Sequence, residues 1–160
     1  MSQLTHLDES GRVRMVDVSD KKVTARTARA VGSLTCLPAT LDQVRAGTTP
    51  RGGDRHGRTG GHHGREADGR THPALSSSSL TKAEVAIEMD DAMPGFRIGA
   101  EVRTNGVTGV EMEALTAVSV ACLTLFDMLK AIDRTMIIGG IEVAGKSGGK
   151  SGDWDRSGQS

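Results

Sequence analysis

The stretch "TGVEMEALTAVSVACLTLFDMLKAIDR", Thr108 to Arg134, decides how the rest of the chain is read. From Val110 to Arg134 it contains neither Gly nor Pro. Thr108 followed three residues later by Glu111 is a capping-box signature, so a helix is predicted to start here. Its residues are apolar on most sides, the mark of a buried helix rather than a half-wetted one. Burial between a sheet and another subunit is therefore expected.

Working outward, "LTKAEVAIEMD" (Leu80 to Asp90) puts Ala83, Val85, Ile87 and Met89 on one face. "FRIGAEVRT" (Phe96 to Thr104) alternates Phe96, Ile98, Ala100 and Val102. Two period-two runs around Met93-Pro94-Gly95 predict an antiparallel hairpin. After the helix, "MIIGGIEVAG" (Met136 to Gly145) reads as a last strand. "KSGGKSGDWDRSGQS" is Gly/Ser-rich, with residues 155–160 expected to be a disordered tail. Upstream, "VTARTARAVGSLTCL" (Val23 to Leu37) is rich in β-branched residues and changes phase after Thr27. It predicts a long strand with a bulge near that change or at Gly32. Pro38 ends it, and "ATLDQVRAG" reads as a short helix closed by Gly47. "VRMVDVS" (Val13 to Ser19) predicts one more short strand. This order gives an α+β fold with helices packed on one face of a mainly antiparallel sheet.

The chain has 160 residues, which is one domain by length. Lys+Arg and Asp+Glu each number 20, so the formal net charge is zero. That balance argues against a whole-chain electrostatic grip on nucleic acid or an acidic membrane. Aromatic residues make up 2% and Tyr is absent, so the core must come from Val, Ile, Leu, Ala and Met. Cys36 and Cys122 form no CxxC pair and read as buried thiols of a reducing compartment. The start "MSQLTHLDESG" has no apolar signal core. No unbroken apolar run approaches the roughly 18 residues of a membrane span. A cytoplasmic protein is expected. One segment stands apart: "RGGDRHGRTGGHHGREADGRTHPALSSSS", Arg51 to Ser79, with seven Gly, five Arg and four of the five His. So small a core beside it favours oligomerisation.

Several residues could carry chemistry. Asp127 and Lys130 are neighbours on one helix face. They read either as a surface ion pair or, flanked by Leu125, Phe126, Met128 and Leu129, as an acid–base pair. Glu113 lies about 21 Å from Asp127 along the same helix at about 1.5 Å per residue. If both serve one site, two chains must build it. "KSGGKSG" offers glycine backbone and the cations Lys146 and Lys150, suited to phosphate, although it is no P-loop. The alternative for that stretch is a flexible polar tail. His56, His62, His63 and His72 have no helix or hairpin spacing, so no metal site is predicted. Arg51-Gly52-Gly53 is like an RNA-binding tail but lacks repeats and aromatics.

"LTHLDESGRVRMVDVSDKKVTARTARA", the helix stretch with "TGVEMEALTA", and "KSGGKSGDW" closely resemble the cyclic pyranopterin monophosphate synthases, the molybdenum-cofactor biosynthesis protein C family. The resemblance covers roughly residues 3–50 and 80–154. It implies a ferredoxin-like α+β subunit in a homo-hexamer, a trimer of dimers with sites at the dimer interfaces. It implies conversion of 3′,8-cyclo-7,8-dihydro-GTP to cyclic pyranopterin monophosphate with release of pyrophosphate, without a resident cofactor. Whether a divalent metal accompanies the triphosphate is not legible. At matching positions, Asp127 and Lys130 look like the catalytic pair, with Asp127 as acid/base and Lys130 as proton donor or charge stabiliser. Glu111, Met112 and Glu113 look like the substrate-contacting run. Lys146 and Lys150 would hold the triphosphate and neutralise the leaving group.

The segment Arg51 to Ser79 departs from the family. A Lys-Gly-Asp motif, a helix and "LIPLCHPL" are expected here, and Arg51 stands where the family has a catalytic lysine. Arg keeps the charge but has no accessible neutral form. With one permitted set of codons, His62 to Ser77 read from the next base gives "IMAAKRTAELIPLCHP", the family pattern. The segment thus reads as family sequence in a shifted frame, with the original frame resumed by Leu80. The competing reading is a non-catalytic binding protein on this scaffold, its Arg/Gly/His-rich segment contacting nucleic acid or metal.

Overall fold

The computed structural model describes residues 18, 20–47 and 80–158. In chain order these form β1 (Thr24–Thr35), α1 (Pro38–Arg45), β2 (Leu80–Asp90), β3 (Gly95–Gly106), α2 (Glu111–Leu129), β4 (Ile137–Ser147) and β5 (Trp154–Asp155). A 3-10 turn, Arg156–Gly158, follows. The strand expected over Val13 to Ser19 and the segment Arg51 to Ser79 lie outside the described residues.

One sheet results, in the order β2-β3-β1-β4-β5, and each neighbouring pair is antiparallel. The hairpin read around Pro94 is β2–β3, with Asp90 opposite Gly95. The chain stays close at that turn because Gly95 lies against the Leu34 carbonyl, which a side chain would overlap. β1 runs in unbroken register with β3, but its pairing with β4 shifts between Arg29 and Ala30 and again between Val31 and Ser33. One bulge was expected, near the phase change after Thr27 or at Gly32; the second shift spans Gly32, and the first lies two residues beyond the phase change. Gly140, in β4, takes φ +61 opposite the second shift.

The α+β, ferredoxin-like arrangement is thus present, with helices on one sheet face. Ala28, Ala30 and Leu34 of β1 and Phe96, Ile98, Ala100 and Val102 of β3 point to that face and are buried. Ala114, Ala117, Val118, Ala121, Cys122 and Leu125 of α2 meet them, and Leu41 of α1 joins the same cluster. Small residues on both sides let the helix axis come close. At Gly32 an added Cβ would sit 2.7 Å from Val118 Cγ1, so any larger residue there pushes helix and sheet apart. By length and a mean hydropathy of 1.6, α2 could cross a bilayer, yet one of its faces lies on the sheet. Its outer face leaves Met112 and Leu123 exposed. Burial pushes the Cys122 thiol up to about 11. Cys36 is only half-buried, and burial, helped by the Asp133 carboxylate, raises it as well.

Three expectations need correction. The capping box does not form: the residue before α2 is Val110, and no side chain caps the helix. The helix ends at Leu129, short of Arg134, with Lys130 in the capping position. The tail expected to be disordered from residue 155 is held at its first residues. Trp154 and Asp155 pair with Lys146 and Gly145, Asp155 binds Arg29, and Arg156 donates to the Val143 carbonyl.

Asp133, just beyond α2, secures α1 from outside. Its carboxylate accepts the Leu37 N–H at 2.9 Å and the Thr40 hydroxyl at 3.1 Å, at the start of α1. It also accepts the Thr135 N–H and hydroxyl at 2.8 and 2.7 Å. The residue is 3% exposed. These donors, the Leu37 N–H foremost, hold the carboxyl at about 2 against an ordinary 3.8. A folded-state value below the unfolded one stabilises the fold above about pH 4 and is lost as pH falls toward 2. The shift corresponds to about 2 kcal/mol at neutral pH. We predict that Asp133→Ala lowers the melting temperature by about 4–8 °C at pH 7. The difference from the unaltered protein should shrink between pH 4 and pH 2 in calorimetric or circular-dichroism melts. A constant difference across that window would show that the carboxylate's charge is not what α1 uses.

Candidate functional site

Lys146 ends the inner part of β4. It is opposite Ala28 of β1 on one side and Trp154 of β5 on the other. Ala28 faces α2, so the pairing sends the Lys146 side chain toward the start of that helix. There its Nζ lies 3.4 Å from Glu111 Oε1 and donates to the Ser151 hydroxyl at 2.8 Å. The Glu111 carboxylate is itself folded against Gly109, where any side chain would displace it.

Between β4 and β5 the chain turns through Gly148, Gly149 and Gly152, with φ of +84, +79 and +68. L side chains rarely adopt such values. Space adds a second demand. A Cβ on Gly148 would overlap the Ala25 carbonyl, and one on Gly149 the Arg26 guanidinium. The Gly148 N–H donates to Asp153 Oδ1 at 2.9 Å, and the Gly152 N–H to the Gly149 carbonyl at 3.3 Å. Arg26, half-buried on β1, donates from Nε to the Gly106 carbonyl at 3.0 Å. Together Arg26, Gly109, Glu111, Lys146, Gly148 and Ser151 line a cleft of about 190 Å³. Arg26 and Lys146 face into it, and Lys150 stands exposed on the adjoining loop. Two cations against one carboxylate, with glycine backbone at close quarters, are the chemistry that suits an anion of several charges.

The run Glu111-Met112-Glu113 does not act as one patch, because successive helical residues point about 100° apart at 3.6 residues per turn. Glu111 turns to the cleft, Met112 outward at 41% exposure, and Glu113 into the interior at 5%. A carboxylate in the first turn of a helix is favoured by the helix dipole. Asp127 and Lys130 form their i,i+3 pair at 2.6 Å, at the other end of α2, and both are exposed. Sixteen residues separate Asp127 from Glu111, about 24 Å of helix at about 1.5 Å per residue. One chain therefore gathers Glu111 and Lys146 but leaves Asp127 and Lys130 apart from them. Residues of the sequence reading that fall in 51–79, Arg51 and the four His among them, lie outside the described residues.

Arg26, Ser151 and Asp153 were not singled out from the sequence. Arg26 sits on an alternating strand like any solvent-facing Arg, and only the register with β3 and the glycine loop gives it a task. Ser151 and Asp153 belong to the noticed "KSGGKSGD" stretch, but their bonds depend on the closed loop.

Fold and cleft define an α+β domain with a glycine loop, flanked by Arg26 and Lys146, set against the acidic start of its core helix. The MoaC family model matches residues 15–149, most of the chain. The chain is similar to the cyclic pyranopterin monophosphate synthase of Methylobacterium sp. (strain 4-46), 54% identical over 157 residues, covering 96% of this chain and 97% of that one. It is 55% identical to the protein of the same name from Methylobacterium nodulans, covering 95% and 96%. To that from Nostoc sp. it is 46% identical, covering 96% and 92%. The chain belongs to the MoaC family.

The glycine loop makes a graded prediction. Both Gly148→Ala and Gly152→Ala strain the backbone at positive φ, but only the first also overlaps a neighbour, the Ala25 carbonyl; the second meets nothing within 4 Å. Strain of this kind costs on the order of 1–3 kcal/mol. Gly148→Ala should weaken binding of inorganic triphosphate by about tenfold or more in calorimetric titration, and Gly152→Ala by clearly less. Equal affinities for the two variants would show that the loop's shape does not matter to the anion.

Proposed function

We propose that the chain is a cyclic pyranopterin monophosphate synthase of molybdenum cofactor biosynthesis. Its substrate is 3′,8-cyclo-7,8-dihydro-GTP, and its products are cyclic pyranopterin monophosphate and pyrophosphate. The observation that carries this reading is the cationic glycine cleft at the start of α2, found in a chain that belongs to the MoaC family. In this reaction the α-phosphorus forms a bond to a substrate oxygen while its bond to the β-phosphate oxygen breaks. The negative charge moves onto the departing pyrophosphate. Lys146 and Lys150, joined by Arg26, neutralise that charge, which is most of what phosphoryl chemistry asks of a protein.

Asp127 serves as the acid/base and Lys130 as proton donor or charge stabiliser. Because α2 holds them about 24 Å from the cleft, the working site takes its cleft from one chain and its Asp127–Lys130 pair from another. That arrangement calls for dimers with interfacial sites, assembled as a trimer of dimers. The exposed apolar residues Met112 and Leu123 on the outer side of α2 suit such an assembly. The reaction class is a phosphorus–oxygen lyase, and the cytoplasm is the proposed location. No resident cofactor is proposed. Among the described residues, no group of three or more His, Cys, Asp or Glu is gathered that could hold a metal.

The test is subunit complementation. Lys146→Ala in the cleft and Asp127→Ala should each abolish product formation, as should Lys130→Ala, while leaving assembly intact. Refolded mixtures of the first two should regain part of the activity, since some interfaces then carry one complete site. Assembly without regained activity would remove the composite site, and near-normal turnover by Asp127→Ala would remove its catalytic role.

The segment Arg51 to Ser79 is proposed to be family sequence in a shifted frame. Its seven Gly are each about 1 kcal/mol less favourable than Ala in a helix, a composition unlike that of the family's segment. The chain with "IMAAKRTAELIPLCHP" restored should form product, and the chain as written should form little or none. Comparable product from both, measured side by side, would mean that the segment has a purpose of its own.

A further inference from the structure

We propose that Asp153 is a positioning residue for the anion-binding loop, and that it acts as a hydrogen-bond acceptor rather than as a charge. This rests on the proposed anion cleft and adds to it what holds the loop in its receptive shape.

The loop is tied at three levels. At its neck, Lys146 and Trp154 pair across β4 and β5. Across its middle, the Lys146 ammonium donates to Ser151. Above the neck, the Gly148 N–H is directed onto Asp153 Oδ1 at 2.9 Å. Gly148 is the residue at which the chain leaves the strand for φ +84, and a Cβ there would overlap the Ala25 carbonyl, so only glycine fits. The Asp153 acceptor therefore selects the peptide orientation at the point where the loop changes direction. Gly149, Lys150 and Ser151 follow from that choice, and with them the placing of the Lys146 and Lys150 ammonium groups.

A carboxylate is a costly choice of acceptor beside a site for a polyanion, because its charge opposes the ligand's. Its position accounts for it: Asp153 is exposed to solvent, where water screens the charge while the short bond to the backbone persists. An amide oxygen offers the same acceptor without the charge. The two roles can thus be separated by substitution.

The experiment uses the full chain, as written and with the family segment restored, and inorganic triphosphate as the probe. Asp153→Ala, Asp153→Asn and Lys146→Ala are compared by titration calorimetry, with thermal melts of each. A lost backbone-to-carboxylate bond corresponds to about a tenfold loss of affinity. Asp153→Ala should bind triphosphate about tenfold more weakly with its melting temperature within about 2 °C, since the bond is a single exposed one. Asp153→Asn should bind as tightly as the unaltered chain or tighter. In turnover, Asp153→Ala should raise KM far more than it lowers kcat. Equal weakening by Ala and Asn would overturn the acceptor role, and no weakening by Ala would overturn the positioning role. If Lys146→Ala binds triphosphate normally, the anion cleft itself is wrong. If Lys146→Ala binds weakly and Asp153→Ala binds normally, the cleft stands and only the role of Asp153 falls.

Discussion

The close seat of α2 on β1 is the constraint on which the rest of the subunit depends. It is made from small residues: Ala28, Ala30 and Gly32 on the strand, and Ala114, Ala117, Ala121 and Cys122 on the helix. With few aromatic side chains available, the interior cannot be filled by bulk, so it is filled by bringing backbones together. That closeness has a directional result. It brings the first turn of the helix beside the end of β4, so Glu111 comes within reach of Lys146. The cleft is a product of how tightly the helix lies on the sheet.

Much of this architecture could be read from the residues because both periods are clean. Alternation from Phe96 to Val102 gives a strand with one buried face, that from Ala83 to Ile87 a strand with a half-buried one, and Gly32 marks one of the two irregularities of β1. The long Gly- and Pro-free stretch gives the helix. What escaped reading are features set by distant partners. Asp133 looks like an ordinary acidic residue after a helix, yet it accepts from Leu37 and Thr40, more than ninety positions earlier. Thr108 and Glu111 have capping-box spacing, but Glu111 is drawn to Lys146, and a tertiary ion pair overrides the local motif. The tail looks unstructured by composition, and a strand pairing with two side-chain anchors orders its beginning.

The site divides in the same way. Glycines and lysines in "KSGGKSG" suit phosphate but equally a flexible polar tail when read on their own, whereas Arg26 becomes legible only through the register of β1. Resemblance to the family contributed the roles of Asp127 and Lys130, which the subunit alone presents as an exposed pair. The length of α2 sets that pair about 24 Å from the cleft at about 1.5 Å per residue.

The two margins of the sheet have a bearing on solubility. A margin strand offers unpaired N–H and C=O groups that can recruit another chain and start aggregation. β2 is eleven residues long and forms one margin. Its outer surface carries Lys82, Glu84 and Glu88, and its pairing slips after Leu80, so an incoming strand would meet charge and a broken ladder. The opposite margin is β4, which β5 covers over two residues only. There the left-handed Gly140 and the two register shifts bend the strand away from a flat template. The irregularities that fit β4 to the helix side thus also guard the subunit against sticking edge to edge.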